Sequence, residues 1–238
     1  MVIVWVGAAL LAVALYYWLV ILTEGTYLGS LVVVRLYDWF AHKYDRVKNV
    51  LYVNELAYLG LPVSRALAGV PHPVIVDVAT GTGRLPLAMV RQSDFDGLVV
   101  GVEPSQPMLA EARRALAGFE QAALVCGDSR ALALADHSVD ALTCLESLEF
   151  MAQPDRVLAE FVRVVKPGGV LLLSNRVGPD SWFFPGRIAR RGVLEQRLRA
   201  LGMAPRTDRW QNHYDLVWAS TPSLPTYPER KDVALHEA

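Results

Sequence analysis

One stretch of the sequence combines a buried strand, an acidic residue and a glycine-rich turn. Val74–Val78 is apolar apart from Asp77, and Gly81 and Gly83 follow just before a helix begins. In a parallel sheet, such a strand–turn–helix unit places a ligand at the carboxyl end of the strand, beside the backbone of the glycine turn. The segment therefore predicts a binding site for a small molecule at this edge of a sheet.

Two further acidic residues follow the next two predicted strands. Glu103 comes after the strand Leu98–Val102, where a carboxylate can accept hydrogen bonds from the vicinal hydroxyls of a ribose. Asp128 follows the strand Ala122–Cys126 and can accept a hydrogen bond from the amino group of an adenine. Acidic groups at three successive strand ends suit a cofactor that carries an ammonium group, a ribose and an adenine.

A dinucleotide is the alternative ligand for such a glycine turn. Dinucleotide sites have a third small residue three positions after the second glycine, so that helix and strand pack closely beside the pyrophosphate. Pro86 stands three positions after Gly83. A nicotinamide-dependent oxidoreductase is therefore the weaker reading of this turn.

Strands and helices alternate along the central part of the chain. The predicted strands are Val74–Val78, Leu98–Val102, Ala122–Cys126, Ala141–Leu145 and Val170–Ser174, with helices near Arg84–Arg91, Pro107–Leu116 and Pro154–Val165. This order predicts an α/β fold with a doubly wound, mostly parallel sheet. After a helix near Val193–Leu201, the β-like runs Pro205–Gln211 and His213–Ser220 are too close together for a crossover helix, which predicts a C-terminal antiparallel hairpin.

With these segments in place, the sequence resembles the class I S-adenosylmethionine-dependent methyltransferases, in the style of the ubiquinone and menaquinone C-methyltransferases. The matching segments, in the order of the family, are Asp77–Gly83, Gly101–Pro104, Gly127–Asp128, Leu134–Asp140 and Lys166–Gly169. The resemblance implies a seven-stranded sheet whose last two strands form the antiparallel hairpin. It also implies S-adenosylmethionine as the cofactor, with no metal.

The resemblance further implies a role for individual residues. Asp77 and the backbone of Gly81 and Gly83 would hold the methionine part, Glu103 the ribose, and Asp128 with Ser129 the adenine. The implied cofactor contacts are, in full, Asp77, Ala79, Gly81, Gly83, Glu103, Pro104, Asp128, Ser129 and Leu145. Ala79 departs from the family, which usually has glycine at this position.

Candidate catalytic residues follow the fourth predicted strand. Glu146 and Glu149 stand where this kind of enzyme handles its acceptor. Transfer from a sulfonium needs mainly alignment and exclusion of water, and a base is required only if the acceptor loses a proton. His42 and Tyr44 are further candidates for that base, and the sequence does not choose among them or between C-, N- and O-methylation.

The first 22 residues contain no charged side chain. About 20 apolar residues at 1.5 Å rise cross a hydrocarbon layer of about 30 Å, so this segment is predicted to be a transmembrane anchor. A cleaved signal peptide is the alternative, but it would carry a basic start and a shorter apolar run. Because nucleoside cofactors are kept inside the cell, we expect a single-pass membrane protein whose catalytic domain is cytoplasmic.

The predicted organisation is an anchor (residues 1–22), a helical linker or lid (23–70), a cofactor-binding domain (71–220) and a flexible tail (221–238). Within the linker, Leu31–Ala41 either lies along a membrane surface or packs on the domain, and the helices that follow are expected to break near Pro62. Cys126 and Cys144 are predicted to be buried core thiols.

These features favour a membrane-anchored methyltransferase that acts on a small, lipophilic acceptor such as a quinone precursor or a phospholipid. A formal net charge of -1 gives no electrostatic footprint for nucleic acid. The main alternative is a membrane-tethered module that binds the cofactor without turnover. The oligomeric state is left open.

Overall fold

A computed structural model of the protein describes residues 1–48, 50–184 and 190–221. Its first helix, α1, covers Val2–Tyr16 and continues as a π-helical turn over Tyr17–Leu22. The part Ile3–Leu22 has 20 residues, a mean hydropathy of 2.2 and no buried share, so it is long and apolar enough to cross a membrane. The same length and composition also fit a signal sequence. The predicted tail lies outside the described residues, apart from Thr221.

Short helices follow in the linker region. They are α2 (Ser30–Phe40), α3 (Tyr44–Val47), α4 (Tyr52–Glu55) and α5 (Leu61–Ala66). A π-helical turn, Leu56–Gly60, joins α4 to α5. The predicted break near Pro62 was wrong. The chain stays helical because the wider turn comes just before the proline, where the missing N–H and the ring would disturb an ordinary α-helical ladder.

The rest of the described chain alternates between strands and helices. The strands are β1 (Val74–Val78), β2 (Leu98–Glu103), β3 (Ala122–Cys126), β4 (Val139–Cys144), β5 (Val165–Arg176), β6 (Ala204–Arg209) and β7 (Tyr214–Ser220). The helices are α6 (Arg84–Val90), α7 (Gln106–Ala115), α8 (Pro154–Val164) and α9 (Val193–Ala200).

The strands form one sheet in the order β3-β2-β1-β4-β5-β7-β6. β1 to β5 pair in parallel, whereas β7 pairs antiparallel with both β5 and β6. This confirms the predicted fold class and the C-terminal hairpin. The order reverses between β1 and β4, and the helices leave these strands in opposite directions, which opens a cleft at their carboxyl ends.

Two core clusters cover the sheet on opposite faces. Leu59 and Val63 join Leu85 and Met89 of α6 on one face, and α8 and α9 cover the other. Successive side chains of β1 point to opposite faces of the sheet. Ile75 therefore packs in the cluster with α6, and its neighbours in the strand pack in the cluster with α8 and α9.

Two local expectations were wrong. Cys126 is exposed, because β3 is the edge strand and its last residues are not covered by a helix, whereas Cys144 is buried as predicted. The strand predicted to begin at Val170 is longer: β5 starts at Val165 and shifts register against β4 between Val139 and Ala141. This irregularity lets the strand accommodate Gly168 with its positive φ of 89°.

Candidate active site

A cavity of about 330 Å³ lies at the carboxyl ends of the parallel strands. The predicted cofactor residues that line it are Ala79, Gly81, Glu103, Pro104, Asp128, Ser129 and Leu145. The candidate catalytic residue Glu146 lines the same cavity. The topology therefore brings together most of a set that is spread over nearly 70 residues of sequence.

Asp77 lies behind the cavity wall and is not one of its lining residues. Its two carboxylate oxygens accept hydrogen bonds from the hydroxyls of Thr80 and Thr143, both at 2.6 Å. Burial raises the pKa of this carboxyl from 3.8 to about 6, although the two hydroxyls oppose the rise. Asp77 thus fixes the glycine turn against β4 and adds negative potential below the cavity.

The glycine turn uses left-handed backbone at three positions. Ala79, Gly81 and Gly83 have φ values of 56°, 57° and 84°. A Cβ on Gly83 would meet the Cβ of Ala112 at 3.3 Å, so this glycine lets the turn approach α7, and it does not line the cavity. Ala79 holds a conformation that glycine adopts without strain, which explains why glycine is usual at this position in the family that the sequence resembles.

Glu103 connects the glycine turn to the start of α7. Its carboxylate accepts the backbone N–H of Gly81 and of Ser105, both at 3.0 Å, and only 7% of the residue is exposed. Burial raises the pKa of Glu103 to about 7, against the effect of the two N–H donors. Ser105 in turn caps α7 by accepting the N–H of Met108.

Asp128 stands at the open end of the cavity and is exposed. It accepts the backbone N–H of Arg130 at 2.8 Å, and the Arg130 guanidinium forms a salt bridge with it. The hydrogen bonds from Arg130 lower the pKa of Asp128. An adenine amino group would have to share this carboxylate with the arginine.

Helix α2 covers the cavity. Leu31, Val33, Val34 and Tyr37 line the cavity from this side, and Val33 also packs with buried Phe150 and Phe184. Of the two predicted placements of this segment, the structure thus has the one on the domain. The spacing of its apolar residues indicated a helix with one apolar face, but nothing in the sequence indicated which surface that face would cover.

Two hydrogen bonds hold this cover to the cofactor-binding loops. The Ser105 hydroxyl donates to Asp38 on α2 at 2.5 Å, and the Thr82 hydroxyl donates to Asp45 on α3 at 2.6 Å. Each bond joins a linker carboxylate to a loop that lines the cavity or supports it. The linker is therefore part of the site.

A second cavity, of about 390 Å³, adjoins the first at Glu146, which lines both. Its wall is polar and aromatic and consists of Lys48, Val50, Leu51, Asn54, Glu55, Tyr58, Arg84, Glu146, Arg176, Trp210, Gln211, His213 and Tyr214. Arg84 lies between two carboxylates, at 2.7 Å from Glu55 and 3.3 Å from Glu146. Burial alone would lower the pKa of Arg84, but the two carboxylates raise it by more, so Arg84 stays charged.

Comparisons with known proteins agree with this geometry. A family model described as a methyltransferase domain matches residues 76–173. A demethylmenaquinone methyltransferase of Renibacterium salmoninarum is 32% identical over 169 residues, which cover 71% of this chain and 68% of that protein. The chain belongs to the class I S-adenosylmethionine-dependent methyltransferases.

Other relatives are matched over less of their length. A malonyl-[acyl-carrier protein] O-methyltransferase of Xylella fastidiosa is 34% identical over 62% of this chain, and the match covers only 48% of that protein's length. A demethylmenaquinone methyltransferase of Clavibacter sepedonicus is 32% identical, and the chain covers 61% of it. The chain thus spans about half to two thirds of the length of these relatives.

Solved structures share the fold. A SAM-dependent methyltransferase of Aquifex aeolicus aligns with a TM-score of 0.62 at 18% identity, over 76% of this chain and 97% of that one. The [4+2]-cyclase SpnF aligns with a TM-score of 0.58 at 23% identity, over 69% and 80%. The fold therefore also occurs in a protein that is named for another reaction.

The charge of the first cavity fits the cofactor of this methyltransferase family. Among the residues that the structure describes, its lining has three acidic residues, Glu103, Asp128 and Glu146, and one basic residue, Arg130, which pairs with Asp128. S-adenosylmethionine carries a positive sulfur and an ammonium group, and both are favoured by this acidic lining. Among the described residues, no group of histidine, cysteine and acidic side chains could hold a metal ion.

The other residues considered as a catalytic base lie at different positions relative to the two cavities. Tyr44 lines the first cavity, and burial raises its pKa well above the ordinary value of 10. His42 is exposed and lines neither cavity. Glu149 is fully buried, outside both linings, and its carboxylate accepts the Tyr214 hydroxyl at 2.5 Å. Glu149 is therefore a support beneath the site, and Glu146 is the carboxylate that faces it.

Sequence reasoning missed the group Glu55–Arg84–Glu146. Its members lie 29 and 62 positions apart, and their pairing depends on how the linker folds back over the sheet. Arg84 directly follows the glycine turn, which was the available signal. A basic residue at the start of a helix is unfavourable beside the helix dipole, so an arginine there suggests carboxylate partners.

Proposed function

We propose that this protein is a membrane-attached methyltransferase that transfers the methyl group of S-adenosylmethionine to a small, lipophilic acceptor. The observation that carries the proposal is the meeting of two cavities at Glu146. The first suits a cationic nucleoside, and the second offers a separate space for an acceptor beside it. Glu146 also has a left-handed φ of 50°, and strained backbone of this kind is concentrated at functional sites.

The chain's own residues account for the steps around the transfer. Bound S-adenosylmethionine supplies a methyl group on a positively charged sulfur that is already activated for displacement. Helix α2 keeps water from the cofactor cavity, and the Glu146 carboxylate faces the acceptor side. If the acceptor loses a proton, Glu146 accepts it, and Arg84 at 3.3 Å holds the carboxylate in place.

The acceptor class is inferred from the apolar helix and from relatives. Ile3–Leu22 has no buried share and is long enough to hold the catalytic domain at a bilayer, with that domain on the cytoplasmic side. Several relatives carry the name demethylmenaquinone methyltransferase, which supports a lipophilic acceptor such as a quinone precursor. A phospholipid acceptor remains the alternative within the same class.

The test measures cofactor binding and turnover separately. Calorimetry with S-adenosylmethionine comes first, followed by transfer of a radiolabelled methyl group from it to a membrane lipid extract. We expect binding, and label in the lipid fraction that is lost in Glu103→Ala. Binding without labelled product would overturn the proposed enzymatic activity and favour a module that binds the cofactor without turnover. Affinity for NAD instead would favour an oxidoreductase.

A further inference from the structure

Five exposed apolar and aromatic residues lie on two segments that meet where Tyr27 contacts Phe183. This foot patch consists of Tyr27, Leu28, Leu31, Trp182 and Phe183, with exposures of 36%, 46%, 79%, 79% and 37%. They come from two segments that are more than 150 positions apart. Contiguous exposed apolar surface of this kind marks a binding face more often than scattered single residues do.

The two segments of the foot patch are fixed to each other. The Tyr27 hydroxyl donates to the backbone carbonyl of Phe183 at 2.7 Å. The next residue, Phe184, is buried and packs edge-on against Phe150, with ring centres 5.8 Å apart. The exposed aromatic residues therefore project from a backbone that is anchored in the core.

The foot patch also continues the apolar helix. The rings of Trp18 and Tyr27 stack at 5.1 Å with an interplanar angle of 17°. The Thr23 hydroxyl donates to the carbonyls of Trp18 and Leu19 at 3.0 Å, which closes the helix just before the patch. A bilayer that holds α1 would thus have its headgroup layer at the level of these residues.

We propose that the foot patch lies in the headgroup layer of a lipid bilayer. The proposal rests on the membrane attachment in the proposed function. Tryptophan and tyrosine favour this layer, and arginines beside them meet lipid phosphates. Exposed Arg35 lies one helical turn from Leu31, and the Arg190 guanidinium lies 5.8 Å from the centre of the Trp182 ring.

The position of the foot patch on the membrane also determines the position of the cofactor cavity. Leu31 belongs to the foot patch and also lines the cavity. If the patch is seated in the headgroup layer, this rim of the cavity is held at the membrane surface. The catalytic domain then has one fixed orientation on the bilayer, and α1 acts together with the patch.

The experiment measures lipid contact in the full-length chain, without reference to methyl transfer. Single cysteines replace Leu28, Leu31 or Trp182 in a Cys126→Ser background, and each carries a bimane fluorophore. Leu98→Cys is the matched control, because Leu98 is 38% exposed at the opposite edge of the sheet. The proteins are reconstituted into phosphatidylcholine–phosphatidylglycerol vesicles with or without brominated lipid as quencher.

We expect the patch labels to lose about half of their fluorescence to the brominated lipid, because interfacial side chains reach about 5–10 Å into the layer, and Leu98→Cys to lose none. Two results would overturn the placement of the foot patch in the headgroup layer but leave membrane attachment intact. One is equal quenching at all positions, and the other is no quenching at the patch while the chain co-sediments with vesicles. Failure to co-sediment would overturn both. Patch labels shielded from lipid and from aqueous iodide alike would show a protein partner and overturn the proposal.

Discussion

Asp77 carries a carboxylate that ionises with difficulty, because it is buried and only hydroxyls solvate it. The pKa is about 6 in the folded chain and 3.8 without the fold. Between these values the folded state binds the extra proton, so the contribution of Asp77 to the free energy of unfolding falls as pH rises from 4 to 6. We expect Asp77→Asn to gain about 1–3 kcal/mol relative to the wild type between pH 4 and pH 8, measured by urea unfolding.

Asp128→Asn is the control for this prediction, because its sign is opposite. Arg130 lowers the pKa of Asp128, so the carboxylate stabilises the fold above that pKa. The variant should lose stability relative to the wild type as pH rises from the lowered pKa to about 4, and the difference should then stay constant up to neutrality. If the stability of both variants relative to the wild type changed with pH in the same direction, the raised pKa of Asp77 would be contradicted.

Glu103 makes cofactor affinity depend on pH near neutrality. Burial holds its pKa at about 7, and only the ionised carboxylate can accept both ribose hydroxyls as well as its two backbone donors. The affinity for S-adenosylmethionine should rise about tenfold from pH 6 to pH 8, as charge-assisted hydrogen bonds replace neutral ones. Calorimetry on the wild type and Glu103→Gln isolates this effect, because titration of the cofactor's own amino group is common to both. An unchanged pH profile in the variant would remove Glu103 from the ribose site.

At the scale of elements, α2 is a cover held by few bonds. The hydrogen bond between Asp38 and Ser105 ties it to the loop after β2. Losing such a bond costs about 1 kcal/mol, so Asp38→Ala should release S-adenosylmethionine about fivefold faster in a stopped-flow experiment. Asp94→Ala is the matched control, because Asp94 is an exposed acid in the connection between α6 and β2, at the far edge of the sheet. Equal release rates in all three proteins would mean that α2 does not cover the bound cofactor.

Elements with strong periodic signals were predictable from the sequence. The glycine turn, the parallel strands and the C-terminal hairpin all depend on local patterns and on connection length, and the structure confirms them. The linker was harder, because its helices are short and their apolar faces find partners only in three dimensions. Pro62 indicated a break that a π-helical turn removes.

At the site, the sequence indicated which loops carry the ligand contacts but not which side chains face the ligand. Asp77 and Gly83 support the cavity from behind, and Glu149 holds Tyr214 beneath it. Whether a side chain at a strand end faces the cavity or the core depends on neighbours that are distant in the chain, such as Thr143 for Asp77. That these residues contact the cofactor or the acceptor stays a prediction.

For the whole molecule, the apolar N-terminal helix, the cover and the two cavities follow one another in space. The π-helical extension of α1 ends at Leu22, shortly before α2 begins at Ser30. Helix α2 covers the first cavity, and Glu146 joins this cavity to the second. An apolar acceptor concentrates in the bilayer, so a tethered enzyme meets it at a higher effective concentration without any added contact. The advantage should disappear for an acceptor that stays in water.

Removal of residues 1–22 tests this coupling. We expect methyl transfer to a vesicle-embedded acceptor to fall about 100-fold at equal enzyme concentration, because the tether no longer raises the local concentration. Transfer to a short, water-soluble analogue of the same acceptor and the affinity for S-adenosylmethionine serve as controls and should stay unchanged, since the cavity residues lie outside the deleted segment. Equal loss on both acceptors would mean that α1 supports the catalytic fold itself, and no loss on either would separate the helix from the reaction.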